Sequence, residues 1–402
     1  MKSDRTIQNR LFDLGWIIFL VMQLITLTAW YALNESQIKV YVYKGVTLLS
    51  CALFAAVIII NLIKKVYPLK TFICYAVFGV ICALSWYFNR NTLIILTFLV
   101  FMAVYEISGR RIIAIAAFIS GVMLLVTVTM AELGLTTNYL FDAEAGRPRY
   151  GLGFSWATNA PTILTFFILQ YIYLRKDRMR VWEYVILEAA NVYMYLRTDT
   201  NLPFYLMSAV LVLFFIEGLF KNHWRALKHL KWLYYLMPVI VCAVTMVLYF
   251  LWMDDNELWN KFWLSLNRLI NNRMAYGRQA IARFGLTIFG QPIEWVGGTI
   301  TGQAGEYNYV DCSYIQMLLE RGIAFLAAAI CVYTRMIVRA VKSRDFWLVF
   351  IAIIILVHSF TEPRMMDLSF NVIPVLAFAR LGEEKLEYTG SSLKKIFTGE
   401  GK

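Results

Sequence analysis

The chain has 402 residues, of which 60% are hydrophobic and 16% are charged, and its mean hydropathy is +0.61. So many apolar residues exceed what a globular core can bury, which excludes a soluble protein of ordinary composition. The net charge of +12 comes mainly from basic residues in alternate loops. Because this bias is typical of membrane proteins, we expect no nucleic-acid partner.

Apolar segments long enough to cross a bilayer follow one another along the chain. They are residues 14–33, 43–63, 69–88, 92–107, 112–131, 155–174, 182–197, 203–219, 232–252, 313–334, 346–360 and 367–380. The fourth, the seventh and the last are short for a membrane span. We therefore predict an all-α polytopic membrane protein of about twelve transmembrane helices, folded as a single bundle over residues 1–402.

Clusters of Lys and Arg on alternate connections indicate how the predicted helices are oriented. Positively charged loops stay in the cytoplasm, so these loops and both termini are expected there. We also expect the first helix to act as an uncleaved insertion signal, because its apolar run is too long for a cleavable one. The basic clusters fall within residues 2–10, 64–70, 110–111, 175–180, 221–231 and 335–344.

One connection, residues 253–312, is much longer than the others and is predicted to lie outside the cytoplasm, between the ninth and tenth helices. Its stretch 259–284 is amphipathic, with apolar residues recurring at helical spacing. We expect a helix that lies on the outer membrane surface or covers a cavity. The Gly-rich tract 290–305 is interpreted as an ordered loop over the bundle.

Arginine side chains gather on the predicted outer face, where topology rules would not put them. A guanidinium group is planar, always charged, and pairs bidentately with phosphate oxygens. Such a set at the rim of a bundle suits a diphosphate presented from the membrane, although single outer arginines also balance acids or lipid head groups. The outer arginines are Arg147 and Arg149 in one loop, Arg197 in a second, and Arg268, Arg273, Arg278 and Arg283 in the long loop.

Two further motifs carry groups that exchange protons. Asp311 stands where the long loop re-enters the bundle, and it either caps the tenth helix or takes part in a site. His358 and Glu362 are four residues apart at the outer end of the eleventh helix, and they share a helical face if the helix extends that far. A neutral imidazole there either accepts a proton from a sugar hydroxyl or serves as a structural interface histidine.

Five segments lie in order along the predicted outer side: Arg149–Asn159, Arg197–Phe204, Asn272–Gly290, Val310–Gly322 and His358–Glu362. In this order they resemble the Wzy-type polysaccharide polymerases of the O-antigen ligase and polymerase superfamily. The resemblance covers about residues 145–375 and lies in order and placement more than in strict motifs. In the second segment Thr-Asn replaces the Ser-Arg pair of the family, which leaves the role of Arg197 open.

The resemblance implies an enzyme that joins oligosaccharide repeat units carried on polyprenyl diphosphate at the outer face of the cytoplasmic membrane. The growing glycan moves from its lipid diphosphate to the terminal hydroxyl of a new lipid-linked unit, and fixed guanidinium groups stabilise the departing diphosphate. The diphosphate candidates are Arg149, Arg273 and Arg278, followed by Arg147 and Arg197. The candidate bases are His358, then Glu362 or Asp311, and the candidate glycan-binding residues are Tyr150, Tyr314 and Trp295.

Two other functions stay open from the sequence. A ligase of the same superfamily would transfer the glycan to another acceptor, and a flippase or transporter would have a similar number of helices. Transporters place polar sites near the bilayer midplane, whereas the polar residues here gather at the outer rim.

We expect no cofactor and no metal, because the six cysteines lack metal-type spacing. The expected partners are the lipid-linked oligosaccharide and the bilayer of a bacterial cytoplasmic membrane, with a chain-length regulator and a flippase as further partners.

Overall fold

A computed structural model describes residues 6–142, 146–219, 230–251, 256–298, 300 and 307–382 of the chain. This described part of the chain is all-helical, with 73% of its residues in helices and almost no strand. Some predicted features lie outside the described residues: positions 2–5 and 221–229 of the basic clusters, 253–255 and 306 of the long loop, and 299 and 301–305 of its Gly-rich tract.

The described α-helices are α1 (Thr6–Thr26), α2 (Ala29–Leu33), α3 (Ile38–Ile63), α4 (Leu69–Asn89), α5 (Leu93–Ala103), α6 (Gly109–Glu132), α7 (Asn159–Arg175), α8 (Val181–Thr198), α9 (Asn201–Leu219), α10 (Lys231–Phe250), α11 (Glu257–Leu269), α12 (Arg273–Phe284), α13 (Ser313–Glu320), α14 (Ile323–Lys342) and α15 (Phe346–His358). Short 3-10 helices follow at Lys176–Arg178 and Ile373–Ala377. Between α6 and α7, the strands β1 (Leu140–Phe141) and β2 (Arg149–Tyr150) pair antiparallel.

Seven of the described helices are long and apolar enough to cross a membrane, namely α1, α3, α4, α6, α9, α10 and α14. Two shorter apolar helices, α5 and α15, accompany them. The long helices expose large apolar side chains such as Leu48, Ile63 and Leu125. Their exposure would be unfavourable in water but is favourable among lipid tails. The prediction of an all-α, multi-pass membrane protein is confirmed.

Among the described residues, predicted cytoplasmic loops meet at one end of the bundle, which we call the basic end. There the Arg111 guanidinium pairs with the Asp13 carboxylate, and Lys176 Nζ lies 2.7 Å from Asp345 Oδ2. Helix α6 starts at this end and runs for 24 residues, a length of about 35 Å at about 1.5 Å per residue. At its far end, which we call the arginine end, the loop after α6 contacts the long loop.

The prediction of a last helix at residues 367–380 is wrong, because this segment contains no α-helix. It consists of turns and the 3-10 helix Ile373–Ala377, and Pro374 within it disfavours an α-helix. Arg339 donates to three backbone carbonyls of the segment at 2.6–2.9 Å, and Arg335 adds a bond of 3.0 Å. Irregular backbone persists inside a membrane bundle only when the protein satisfies its polar groups in this way.

The predicted tenth helix, residues 313–334, is divided into α13 and α14. At the break Gly322 has a left-handed φ of +89°, and a Cβ at this position would lie 2.4 Å from the Gly290 nitrogen. Only glycine fits both the conformation and the close approach. Asn89 Nδ2 donates to the Glu320 carbonyl at 2.6 Å, so a side chain satisfies a carbonyl at the end of α13.

The predicted amphipathic stretch 259–284 forms two helices, α11 and α12, rather than one. Asn271 and Asn272 separate them, with left-handed φ values of 55° and 62°. Helix α11 buries Trp263 but leaves Leu258 and Leu269 exposed, which is typical of a helix at a membrane surface. Helix α12 packs against α10 and α13, and this contact brings its first turn to the arginine end of the bundle.

Candidate functional site

Asp311 is the centre of a charged cluster at the arginine end. It precedes α13, whose N-cap residue is Cys312, so Asp311 does not cap that helix. Its Oδ2 lies 3.2 Å from Arg273 Nε, and the charges of Arg364 and Arg149 also act on it. Burial raises the pKa of the Asp311 carboxyl, and the three guanidinium groups oppose that rise.

Arg273 connects the long loop to the turn that follows α15. It is the first residue of α12, directly after the left-handed Asn271 and Asn272, which redirect the chain toward the bundle. Its guanidinium donates to the Thr361 carbonyl oxygen. The side chain is 16% exposed, so solvent reaches the guanidinium group without fully hydrating it.

Arg364 lies in the turn after α15 and supplies a second guanidinium group. Its Nη1 donates to Asp367 Oδ2 at 2.9 Å, and its Nε lies 3.5 Å from Glu362 Oε1. The group also stacks over the Phe370 ring at 4.4 Å. Arg364 is not among the arginines selected from the sequence, although its position two residues after Glu362 on the predicted outer side was a signal that could have found it.

Arg149 supplies the third guanidinium group from β2. Its Nε donates to the Thr198 carbonyl at 2.9 Å, its Nη1 lies 3.4 Å from Asp142 Oδ2, and the group stands 5.7 Å from the Trp156 ring. The residue is 8% exposed. Burial is the main cause that lowers the pKa of Arg149, and the charge of Arg147 lowers it further.

The three guanidinium groups share one pattern of contacts. Each has a firm anchor, namely the Thr198 carbonyl for Arg149 (2.9 Å), the Thr361 carbonyl for Arg273 and the Asp367 carboxylate for Arg364 (2.9 Å). Each also has a loose carboxylate partner, at 3.4 Å (Asp142), 3.2 Å (Asp311) and 3.5 Å (Glu362). Strong charge-assisted bonds measure about 2.7–2.9 Å, so the loose contacts are the ones that an anion can replace.

Arg147 and Arg197 are engaged in structural contacts beside the cluster. Arg147 pairs with the Asp199 carboxylate, and Arg197 binds both oxygens of Glu132 at 2.9 Å. The Arg197 guanidinium also covers the Tyr150 ring at 4.1 Å. These contacts hold the turn between α8 and α9 and the end of α6 in place, and they occupy one face of Tyr150.

Arg278 lies on a different side of α12 from Arg273. Five residues at about 100° each separate the two positions by roughly 140° around the helix. The Arg278 guanidinium lies over the Trp263 ring of α11, 5.0 Å from its centre. The structure therefore places Arg273 3.2 Å from Asp311, with the charge of Arg149 also acting on that carboxyl group, and places Arg278 in the contact between α11 and α12.

The candidate bases Glu362 and His358 do not share a helical face, because α15 ends at His358. Glu362 lies in the following turn, where burial raises the pKa of its carboxyl to about 7 against the opposing charges of Arg364 and Arg273. His358 is 4% exposed and lies 6.2 Å from the Phe166 ring. Within the described part of the chain, its Nε2 has no hydrogen-bond partner.

The aromatic candidates occupy three different environments. Tyr314 is fully buried and its hydroxyl donates to the Leu356 carbonyl at 2.8 Å, which leaves no ring face for a sugar. Trp295 Nε1 donates to Glu320 Oε2 at 3.3 Å, and its ring packs edge-on against Tyr309. Trp295 thus lies next to the break between α13 and α14, and Tyr150 beside Arg197.

These features define a multi-pass helical membrane protein with a partly buried, charged cluster at one end of its bundle. Comparison with protein-family models, with curated proteins and with solved structures finds no match to this chain.

Proposed function

We propose that this protein is a glycosyltransferase that joins polyprenyl-diphosphate-linked oligosaccharide units at the outer face of a bacterial cytoplasmic membrane. The observation that carries the proposal is the pairing of Arg273 with Asp311 at 3.2 Å, together with Arg364 and Arg149 from two other elements, whose charges act on the same carboxyl group. Charges inside a membrane bundle are costly, and they usually mark a ligand or ion site. Three cations at the rim suit the two phosphates of a lipid carrier.

The loose ion pairs explain how the cluster accepts a diphosphate. As the phosphate oxygens approach, they replace the carboxylates of Asp142, Asp311 and Glu362 at 3.2–3.5 Å, while the firm anchors keep the guanidinium groups in position. The charges of Arg273, Arg364 and Arg149 act on Asp311 and lower the pKa that burial raises, so they also offset its repulsion for the incoming anion. Preorganised cations then stabilise the charge that develops as the glycosidic bond breaks.

Glu362 is the base in the proposed reaction. The acceptor hydroxyl gives its proton to the Glu362 carboxylate, and the hydroxyl oxygen forms a bond to the anomeric carbon of the donor. The bond between that carbon and the diphosphate oxygen breaks, and its electron pair leaves with the lipid diphosphate. A pKa of about 7 matches a base that works near neutral pH. His358, with its unpaired Nε2, stays the alternative base.

The proposal includes an orientation for the bundle. The basic end, with Arg111 and Lys176, faces the cytoplasm because positively charged loops are retained there. The arginine end, with α11 and α12, faces outward, where flipped lipid-linked units are presented. The exposed Leu258 and Leu269 of α11 then contact the outer leaflet.

Reconstitution of the purified protein into vesicles with purified polyprenyl-diphosphate repeat units tests the function. A ladder of lengthening lipid-linked products is the expected result. Unchanged units would refute the proposal. A ligase would need a different acceptor before any product formed, and a flippase would move the units across the vesicle membrane without extending them.

A further inference from the structure

A pocket of about 400 Å³ lies beside the charged cluster, between α1, α3 and the turn that follows α15. This volume is within the range of roughly 300–1,000 Å³ found for small-molecule sites. Its wall includes Gln23, Tyr31, Tyr43, Arg364, Asp367 and Ser369. Most of the lining side chains carry a polar group, although the pocket lies within a protein whose surface is largely apolar.

We propose that this pocket binds a sugar ring of the acceptor oligosaccharide. The inference rests on the proposed function, since it assigns a place to the second substrate of the same reaction. A sugar presents several hydroxyl groups, each a donor and an acceptor, together with apolar C–H faces. A pocket for it needs amide, carboxylate and hydroxyl groups beside aromatic rings, and this pocket contains all of them.

Gln23 is the residue best placed to recognise such hydroxyls. It is buried in α1, and its side chain makes two long contacts, to the Tyr43 hydroxyl and from the Ser369 hydroxyl, both 3.4 Å. These distances exceed the usual range for strong hydrogen bonds. A buried amide with weak partners gains by exchanging them for sugar hydroxyls, because it offers both a donor and an acceptor.

Arg364 and Asp367 connect the pocket to the reacting groups. Arg364 Nη1 bonds Asp367 at 2.9 Å on the pocket side, and Arg364 Nε lies 3.5 Å from the proposed base Glu362. Arg364 therefore contacts both the pocket and the group that removes the acceptor proton. A polyprenyl chain would fit the same space poorly, because it offers no partner to Gln23 or Asp367.

Protection from labelling tests the pocket without turnover. In full-length protein in lipid nanodiscs, with the exposed Cys74 and Cys331 replaced by serine, Thr26→Cys places a thiol in the pocket wall. The free oligosaccharide released from the lipid-linked units of the host is expected to slow maleimide labelling about tenfold, whereas inorganic diphosphate has no effect. Equal labelling with and without oligosaccharide, or protection by polyprenyl phosphate alone, overturns the proposal.

Two substitutions and one control refine this measurement. Gln23→Leu, and Tyr43→Phe as a milder change that keeps the ring, are expected to abolish or weaken the protection. Gln8→Leu is the matched control, because Gln8 is equally buried at the other end of α1 and bonds Asn61 at 3.0 Å; protection should persist. A ladder of products without protection refutes the pocket alone, and protection without a ladder supports the pocket while refuting the polymerase.

Discussion

The guanidinium group of Arg273 contacts Asp311 at the end of the long loop and the Thr361 carbonyl in the turn after α15, so it links these two segments. Because it is a fixed cation in a partly buried site, Arg273→Ala should lower the rate of polymer formation by about 100-fold, the usual cost of losing one electrostatic donor. Arg273→Lys should recover part of the rate, since an ammonium keeps the charge but not the planar fork. The rate is measured with reconstituted protein and lipid-linked units.

The control for this experiment is on the same helix. Arg283→Ala removes the same charge from an exposed position of α12, where the side chain lies over Phe284, and should leave the rate within about twofold, as is usual for surface changes. Equal losses in the two variants would mean that Arg273 acts only through net charge or folding.

Glu362 should determine how the reaction depends on pH. Its pKa is raised to about 7, and the base is active only as the carboxylate, so the rate should rise with pH and level off above about 7. Below that value the rate should fall about tenfold per pH unit. Glu362→Gln should remove this acid limb along with most of the activity, and the pH–rate profile of reconstituted protein measures both.

The exposed Glu294 of the long loop provides a matched substitution for the pH experiment. Glu294→Gln should retain the acid limb, because its side chain is not in the cluster. An acid limb that persists in Glu362→Gln and disappears in His358→Gln would assign the proton to the histidine, the first choice from sequence.

The residues of the cluster were partly predictable. Residue type and predicted side of the membrane were enough to select Arg149, Arg273 and Asp311, because arginine on an outer loop already departs from the usual distribution of charge. The sequence could not separate Arg273 from Arg278, since that distinction depends on where α12 starts and which of its faces meets α13. Arg364 was missed although it lies in the predicted outer connection between residues 360 and 367, because only His358 and Glu362 of that stretch were considered.

At the scale of elements, the break between α13 and α14 depends on the close approach of two glycine backbones. Gly322→Ala would place a Cβ 2.4 Å from Gly290 at a left-handed φ, which should lower the free energy of unfolding by about 2 kcal/mol or more. The midpoint of thermal unfolding in detergent checks this. Gly45→Ala in α3, where an added Cβ meets nothing within 4 Å, should leave the midpoint unchanged or raise it slightly.

Long apolar runs were enough to predict most of the helices, but the prediction failed for segments whose pattern was ambiguous. Hydropathy identifies a buried segment but does not say whether its backbone is helical. Residues 367–380 form a mostly apolar, buried segment. Their irregular backbone is tolerated because arginines of α14 donate hydrogen bonds to its carbonyl groups. Similarly, the division at Gly322 depends on a partner more than thirty positions away in the chain, which no local window contains.

For the whole molecule, the orientation of the bundle is the prediction on which the proposed function depends. Two exposed serines mark its ends, Ser265 in α11 and Ser343 after α14. With Cys74 and Cys331 replaced by serine, a membrane-impermeant maleimide should label Ser265→Cys in intact cells and Ser343→Cys only after permeabilisation. The reverse pattern would place the charged cluster in the cytoplasm, where flipped lipid-linked units are not presented.

The irregular segment 367–380 also has a consequence for how the chain is assembled in the membrane. An insertion machinery releases helices into lipid because they satisfy their own backbone, and this segment cannot do so. We expect it to enter only after α6 and α14 have come together and formed a groove that supplies donors such as Arg339. Newly made chains should therefore pass through a stage, visible by pulse labelling, in which α15 is inserted and the segment after it is still cut by protease.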